Sequence, residues 1–374
     1  MASFDEPKPI SYVKALVERG DKAYASMEPQ LATKFYQESL RHLLPLLPTP
    51  SSSQYASSTL HHCYTQIGEC LIQLNNPSAA LESFTAALEI NETAEVHLLR
   101  GQLLKDEEAL DSFKKGVQIL EKEGRKKLLC QAYSNIAELW MTDLCMSPLA
   151  ESSCESSVAA ALSNDEGVHP DGFQALSSLR LSQRRGEDAA NAILKAYGMM
   201  EEGVKAGANT VGLGSKDIRE TASPMEDGSQ ALELTSLELS SIDSLPGFEF
   251  RTQTSKLLLE CSSVENLPPP IVTALGDAAV AVLGSLLCEN DEVVETFFLL
   301  GCAFARLEEG DEAMNYLNRA KEMLEKVKKG IEEELNSLDG FDTEGLAEQA
   351  ESIEDQMDMI SDKITEISEG MEVS

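Results

Sequence analysis

The feature that most constrains this sequence is a spacing rule that recurs four times. Gly20 is followed at twelve, sixteen and nineteen residues by Ala32, Tyr36 and Ser39, and Gly68 in the same way by Ala80, Phe84 and Ala87. Ser177 is followed by Ala189, Ile193 and Ala196, and Gly301 by Ala313, Leu317 and Ala320. A small residue on one helix facing two small residues on the next lets the backbones approach closely. The large residue between them fills the adjoining groove. An antiparallel pair built this way leaves an apolar face uncovered, so it is stable only when another pair stacks on it. The expected class is all-α.

Weaker copies fill the intervals. Gly101, Ala109, Phe113 and Gly116 repeat the pattern with four residues missing between the helices. Tyr133, Ile136, Ala137 and Trp140 open another copy, with Ala150 one residue late for the second helix. A degenerate pair is expected from "GFEFRTQTSKLLLE" to "DAAVAVLGSLLCEND", across the breaker Pro268-Pro269-Pro270. Small at the eighth place, Ala at the twentieth, large apolar at the twenty-fourth and Ala at the twenty-seventh resembles the tetratricopeptide repeat. The resemblance implies a superhelix, an α-solenoid of about seven helical pairs.

The domain layout follows from where this pattern holds. Residues 1–10 read as a tail, 11–200 as pairs one to five, and 231–325 as pairs six and seven. Residues 201–230 are rich in Gly, Ser and charge without apolar periodicity and read as a mobile insertion. Residues 326–374 read as an acidic C-terminal segment, helical to about 335 and partly disordered beyond.

Charge narrows the function. Thirty basic against 64 acidic residues give a formal charge of −34, and a field of that sign repels nucleic-acid phosphate. A basic protein segment is the natural complement. The start, "MASFDEPKPISYVKALVERG", lacks a basic stretch followed by an apolar core, and no run of about 18 apolar residues occurs. A soluble, non-secreted chain with no membrane partner is expected.

No pattern that carries chemistry is present. The eight cysteines form no CxxC pair and fall within helical patterns, so packed thiols are expected rather than disulfides or zinc ligands. His61, His62 and Cys63 are adjacent, and adjacent helix residues do not converge on one ion. Gly207 and Gly212 have the separation of a phosphate loop, but Leu213 stands where that motif needs Lys. GxSxG and HExxH are lacking. The expectation is a chain that is not an enzyme and holds neither cofactor nor metal.

A stacked array presents its first helices on a concave surface able to hold an extended peptide. Counting from the small residue, the inward positions include Asp21, Tyr24, Glu69, Glu138, Asp171, Glu295 and Phe298, with Thr65, Gln131 and Gln174 beside them. The recurrent carboxylates suit a Lys/Arg-rich segment, bound by charge-assisted hydrogen bonds.

Three stretches resemble a specific family: "AELWMTDLCMSPLAESSCE" (137–155), "HPDGFQALSSLRLSQRRGEDA" (169–189), and "LPGFEFRTQTSKLLLEC" running to "CENDEVVETFFLLGCAFARL" (245–307). These are similar to the dedicated assembly chaperones of large-subunit ribosomal protein four. That resemblance implies a client whose basic internal loop lies in the superhelix, in a one-to-one complex carried from cytoplasm to nucleus and released to the pre-60S particle. Phe297-Phe298 stands where that family leads one to expect a Trp-Tyr pair. "GRKKLL" (124–129) reads as a solvated helix start rather than an import signal. A clamp for the acidic tail of a heat-shock protein needs inward Lys, Arg and Asn, and these positions lean acidic. A tetratricopeptide scaffold or adaptor, and a general acidic chaperone for other basic proteins, are the alternatives.

Overall fold

The computed structural model describes residues 8–44, 53–164, 169–213, 236–337 and 344–373. Among these residues there are sixteen α-helices and no strand. The chain divides into two compact units, Met1–Glu166 and Gly167–Ser374.

The first unit holds four antiparallel pairs: α1 (Lys8–Ala25) with α2 (Pro29–Leu43), α3 (Ser53–Gln73) with α4 (Pro77–Ile90), α5 (Ala94–Leu103) with α6 (Asp106–Glu123), and α7 (Lys126–Met141) with α8 (Ala150–Asn164). Each second helix also packs on the following first helix, which is how a repeat array buries the face a lone pair exposes. The second unit holds three pairs: α9 (Asp171–Ser182) with α10 (Gly186–Thr210), α12 (Phe248–Ser262) with α13 (Pro269–Glu289), and α14 (Val294–Arg306) with α15 (Gly310–Ser337). A short α11 (Ser236–Asp243) lies on α10, and α16 (Glu344–Val373) lies on α15. Each unit is an all-α array of antiparallel helical pairs, four in the first and three in the second among the described residues, the arrangement expected of tetratricopeptide repeats.

The spacing rule is a packing rule. A Cβ added at Gly20, Gly68 or Gly301 would lie 2.6, 2.4 or 2.5 Å from Tyr36, Phe84 or Leu317, so only glycine fits against each large side chain. The shortened third pair keeps the contact, with Gly101 against Phe113 at 2.7 Å. Ser177 uses its hydroxyl instead, donating to the Ala189 carbonyl at 3.0 Å. The turns obey the same register. Met27, Asn75, Arg184 and Glu308, each seven residues after the small residue, are left-handed with φ of 57, 54, 58 and 61°. The next N–H then reaches back five residues to the carbonyls of Ala23, Leu71, Arg180 and Phe304 at 2.8–3.0 Å, closing the helix end in a Schellman-type bond.

Four expectations are corrected. Ala150 does not take the second-helix place opposite Ala137. The 142–149 connection folds over buried Leu144, and the register slips so that Cys154, Val158 and Ala161 are buried instead. Cys154 Sγ donates to the Ala137 carbonyl at 3.5 Å. The insertion expected from residue 201 begins later, because α10 continues to Thr210 with Val204, Ala206 and Ala208 buried and Leu213 buried just beyond. Small residues suffice there: a Cβ on Gly203 would meet the Ser241 carbonyl at 2.4 Å, and one on Gly207 would meet Ser285 at 3.2 Å. Gly207 is thus a helix contact, not part of a phosphate loop, while residues 214–230 of that expectation lie outside the described residues. The tail expected over 1–10 is helical from Lys8, and residues 1–7 lie outside the described residues.

The fourth correction is at the C-terminus, where residues 344–373 form a helix instead of partial disorder. It runs antiparallel to α15: Lys328 meets Glu354, Lys321 Nζ donates to Ser361 Oγ at 3.1 Å, and Ser368 Oγ lies 3.9 Å from Met314 Sδ. Ile353 and Ile360 are buried, and Met357, Ile364 and Ile367 complete a stripe at alternating intervals of four and three.

Helix α13 is long and apolar enough to cross a membrane by length and composition, with mean hydropathy 2.0. Most of that apolar window, 61%, is buried inside the second unit, where the helix packs on α10, α12 and α14 and buries Leu275, Val280, Leu283 and Leu286. A helix apolar on all sides at the centre of a packed core has the same composition as a membrane span.

Candidate partner-binding surface

In the first unit the structure brings Asp21, Tyr24 and Glu69 together on the neighbouring first helices α1 and α3. Tyr24 donates a 2.6 Å hydrogen bond to Glu69 Oε2, and the Gln66 amide reaches the other oxygen at 3.4 Å. Asp21 Oδ1 accepts from the Tyr36 hydroxyl at 2.8 Å and lies 3.0 Å from His62 Nε2. Burial and these acidic neighbours raise both tyrosine pKa values, so the phenols act as fixed donors. Neither carboxylate is paired with Lys or Arg among the described residues.

Glu138 is on α7. Its surroundings crowd the carboxyl and raise its pKa, although the side chain still reaches solvent. No cation or hydrogen-bond donor partners its carboxylate among the described residues.

The second unit holds the other three candidates in different circumstances. Asp171 opens α9, where a negative charge favours the helix N-terminus. Glu295 is paired with Lys256 of α12 at 2.7 Å, which the degenerate spacing of that pair concealed. Phe298 is half-buried, packed against the buried clusters that hold Leu299, Leu300 and Leu317. Glu295 and Phe298 therefore offer less free surface than their positions suggested.

Sequence reasoning missed the supporting residues Tyr36 and His62, and Glu95, which stands at an inward offset in the short third pair and is paired with Arg125. His61 and His62 diverge, the first toward Thr93 Oγ1 at 3.4 Å and the second toward Asp21. Among the described residues no group of three or more His, Cys, Asp or Glu side chains is placed to hold a metal ion.

Residues 61–93, spanning α3 and α4, match the tetratricopeptide-repeat family. Over 201 residues the chain is 30% identical to the probable assembly chaperone of rpl4 from Schizosaccharomyces pombe. The chain resembles an assembly chaperone of Rpl4. The match takes in 52% of this chain and 46% of that protein, so the chain spans about half the length of the curated relative. Among solved structures, the assembly chaperone of RpL4 (Acl4), residues 1–338, superposes with a TM-score of 0.50 at 20% identity, over 80% of this chain and 98% of that one. At that identity the likeness concerns the fold.

Proposed function

We propose that this chain is a chaperone of large-subunit ribosomal protein four. It holds the client's basic internal loop against the acidic first-helix faces of its repeats and accompanies it from cytoplasm to nucleus, toward the pre-60S particle. It works by binding, one chaperone to one client, without catalysis or cofactor.

The observation that carries this reading is the state of the first-unit carboxylates. Asp21 and Glu69 are held in place by phenol, imidazole and amide partners rather than by ammonium or guanidinium groups, and Glu138 has no partner cation. Asp21 and Glu69 are thus oriented, and none of the three carboxylates is paired with a cation among the described residues, which is what a surface for Lys and Arg requires. The likeness to a named assembly chaperone supports the choice of client.

The test is capture of bound protein from cells by the full chain, followed by titration with the isolated basic loop of the ribosomal client. Recovery of that client and binding of the loop at low salt are expected. Absence of loop binding even at low salt would sink the reading, and recovery of unrelated basic proteins in its place would favour a general acidic chaperone.

A further inference from the structure

A cleft of about 560 Å³ lies in the first unit between the second helices α6 and α8, with α7 as its floor. Its volume falls in the range of about 300–1,000 Å³ typical of ligand sites. Tyr133, Ile136 and Trp140 of α7 supply the floor, and Trp140 is the chain's only tryptophan. The cleft exists because of the register slip in the fourth pair. Cys154, Val158 and Ala161 are turned onto α7, leaving serines, too small to fill the gap, on the side of α8 toward α6.

The lining contrasts with the rest of the molecule. None of its eleven residues is acidic, in a chain with 64 acidic residues, and the single charge among them is Lys114; one carboxylate, Glu121, reaches the rim, where it accepts from the Tyr133 hydroxyl at 3.0 Å. Among the described residues, the side chains of Lys114, Gln118, Trp140, Ser153 and Ser156 have no hydrogen-bond or ion-pair partner. Each of these groups can donate. Lys114, Gln118 and Ser156 are exposed and hydrated, so around the apolar, aromatic floor they can exchange water for a ligand that carries acceptors beside a large apolar group.

We infer that this cleft is a second binding site, for a short acidic peptide segment bearing a large apolar side chain, on a protein other than the basic client. The apolar side chain lies on Ile136 and Trp140. Flanking carboxylates accept from Lys114, Gln118 and the indole N–H. Charge complementarity separates the two sites: the first-helix carboxylates repel such a segment, and Lys114 repels a basic one.

Trp140 makes the test direct. The full-length protein is titrated at about 0.15 M salt, where long-range repulsion is screened beyond about 8 Å. The probe is the capped tryptophan-free peptide Asp-Glu-Phe-Asp-Glu-Leu. Controls have the acids replaced by Lys or the Phe and Leu replaced by Ala. The acidic apolar peptide should shift Trp140 fluorescence and bind at least tenfold more tightly than either control. Ser156→Phe, which fills the cleft from an exposed position, and Lys114→Glu should each weaken it at least tenfold with the helical signal unchanged. An unshifted spectrum, equal binding of either control, or affinity unaffected by both variants would overturn the assignment. Because Ser156→Phe leaves Asp21, Glu69 and Glu138 in place, binding of the basic loop should persist in it, separating this site from the proposed client surface.

Discussion

Gly68 packs so closely on Phe84 that a Cβ in its place would sit 2.4 Å from the ring, and Phe84 is fully buried and cannot yield. Gly68→Val should therefore cost about 2 kcal/mol or more through overpacking, despite replacing a poor helix former. Gly330, in the exposed part of α15 with nothing within 4 Å, is the control: Gly330→Ala should stabilise by about 0.5–1 kcal/mol. Denaturant unfolding of the two variants should move in opposite directions; a shift of the same sign would refute the packing role of the small residue.

The repeated left-handed turn position carries stored backbone cost at three non-ideal residues. Met27, Arg184 and Glu308 adopt φ of 57–61°, which costs an ordinary L-residue about 1–2 kcal/mol relative to glycine. Met27→Gly and Glu308→Gly should each raise stability, by up to about 1 kcal/mol after the extra unfolded-state entropy of glycine. A loss of stability on thermal unfolding would show that the side chains matter more than the backbone.

His97 is 2% exposed, and neither ring nitrogen has a hydrogen-bond partner; the Glu92 carboxylate is 3.7 Å away. Burial lowers its pKa below the ordinary 6.5, opposed by Glu92, with Lys115 and Arg100 adding to the lowering. The fold thus holds a neutral ring while the unfolded chain takes up a proton near pH 6.5, so stability present above that pH falls as the pH drops through it. The urea midpoint should fall more between pH 7.5 and 5.5 in the native chain than in His97→Leu. Equal falls would exclude His97 as the source.

The C-terminal helix is held by its Ile and Met stripe. Ile360→Asp places a carboxylate in a site only 3% exposed and should cost about 3 kcal/mol, enough to release α16. Cys302 of α14, half-buried and close enough to feel the charges of Lys363 and Glu366, should then alkylate faster in site-resolved mass spectrometry. Exposed Cys145 and Cys288 should be unchanged. Unchanged Cys302 labelling would mean that α16 does not shield it.

Much of the fold was legible because close helix contact writes itself as small residues at fixed spacing: Gly20, Gly68, Ser177 and Gly301 all meet the partners the spacing named. What escaped lay where the physics leaves a weaker trace. The eight-residue connection before α8 shifted the register to Cys154, since loop length alters spacing without altering composition. Residues 201–210 looked like linker because Gly and Ala carry little hydrophobicity, yet they let α10 approach α11 and α13. In α16 the acidic face outweighed the Ile stripe. Candidate site positions followed from helix direction, whereas their pairing did not: nothing local to Glu295 announces Lys256, thirty-nine residues earlier.

The most direct test of the central claim is the affinity of the client's basic loop for the native chain and for Glu69→Lys/Glu138→Lys, measured across a range of salt. These two carboxylates have no partner cation among the described residues, so the double variant should bind at least tenfold more weakly, about 1.4 kcal/mol, with a flatter salt dependence and an unchanged helical signal. Glu295→Lys, which replaces a carboxylate already paired with Lys256, should matter less. Native affinity in the double variant, with the native salt dependence, would contradict the account.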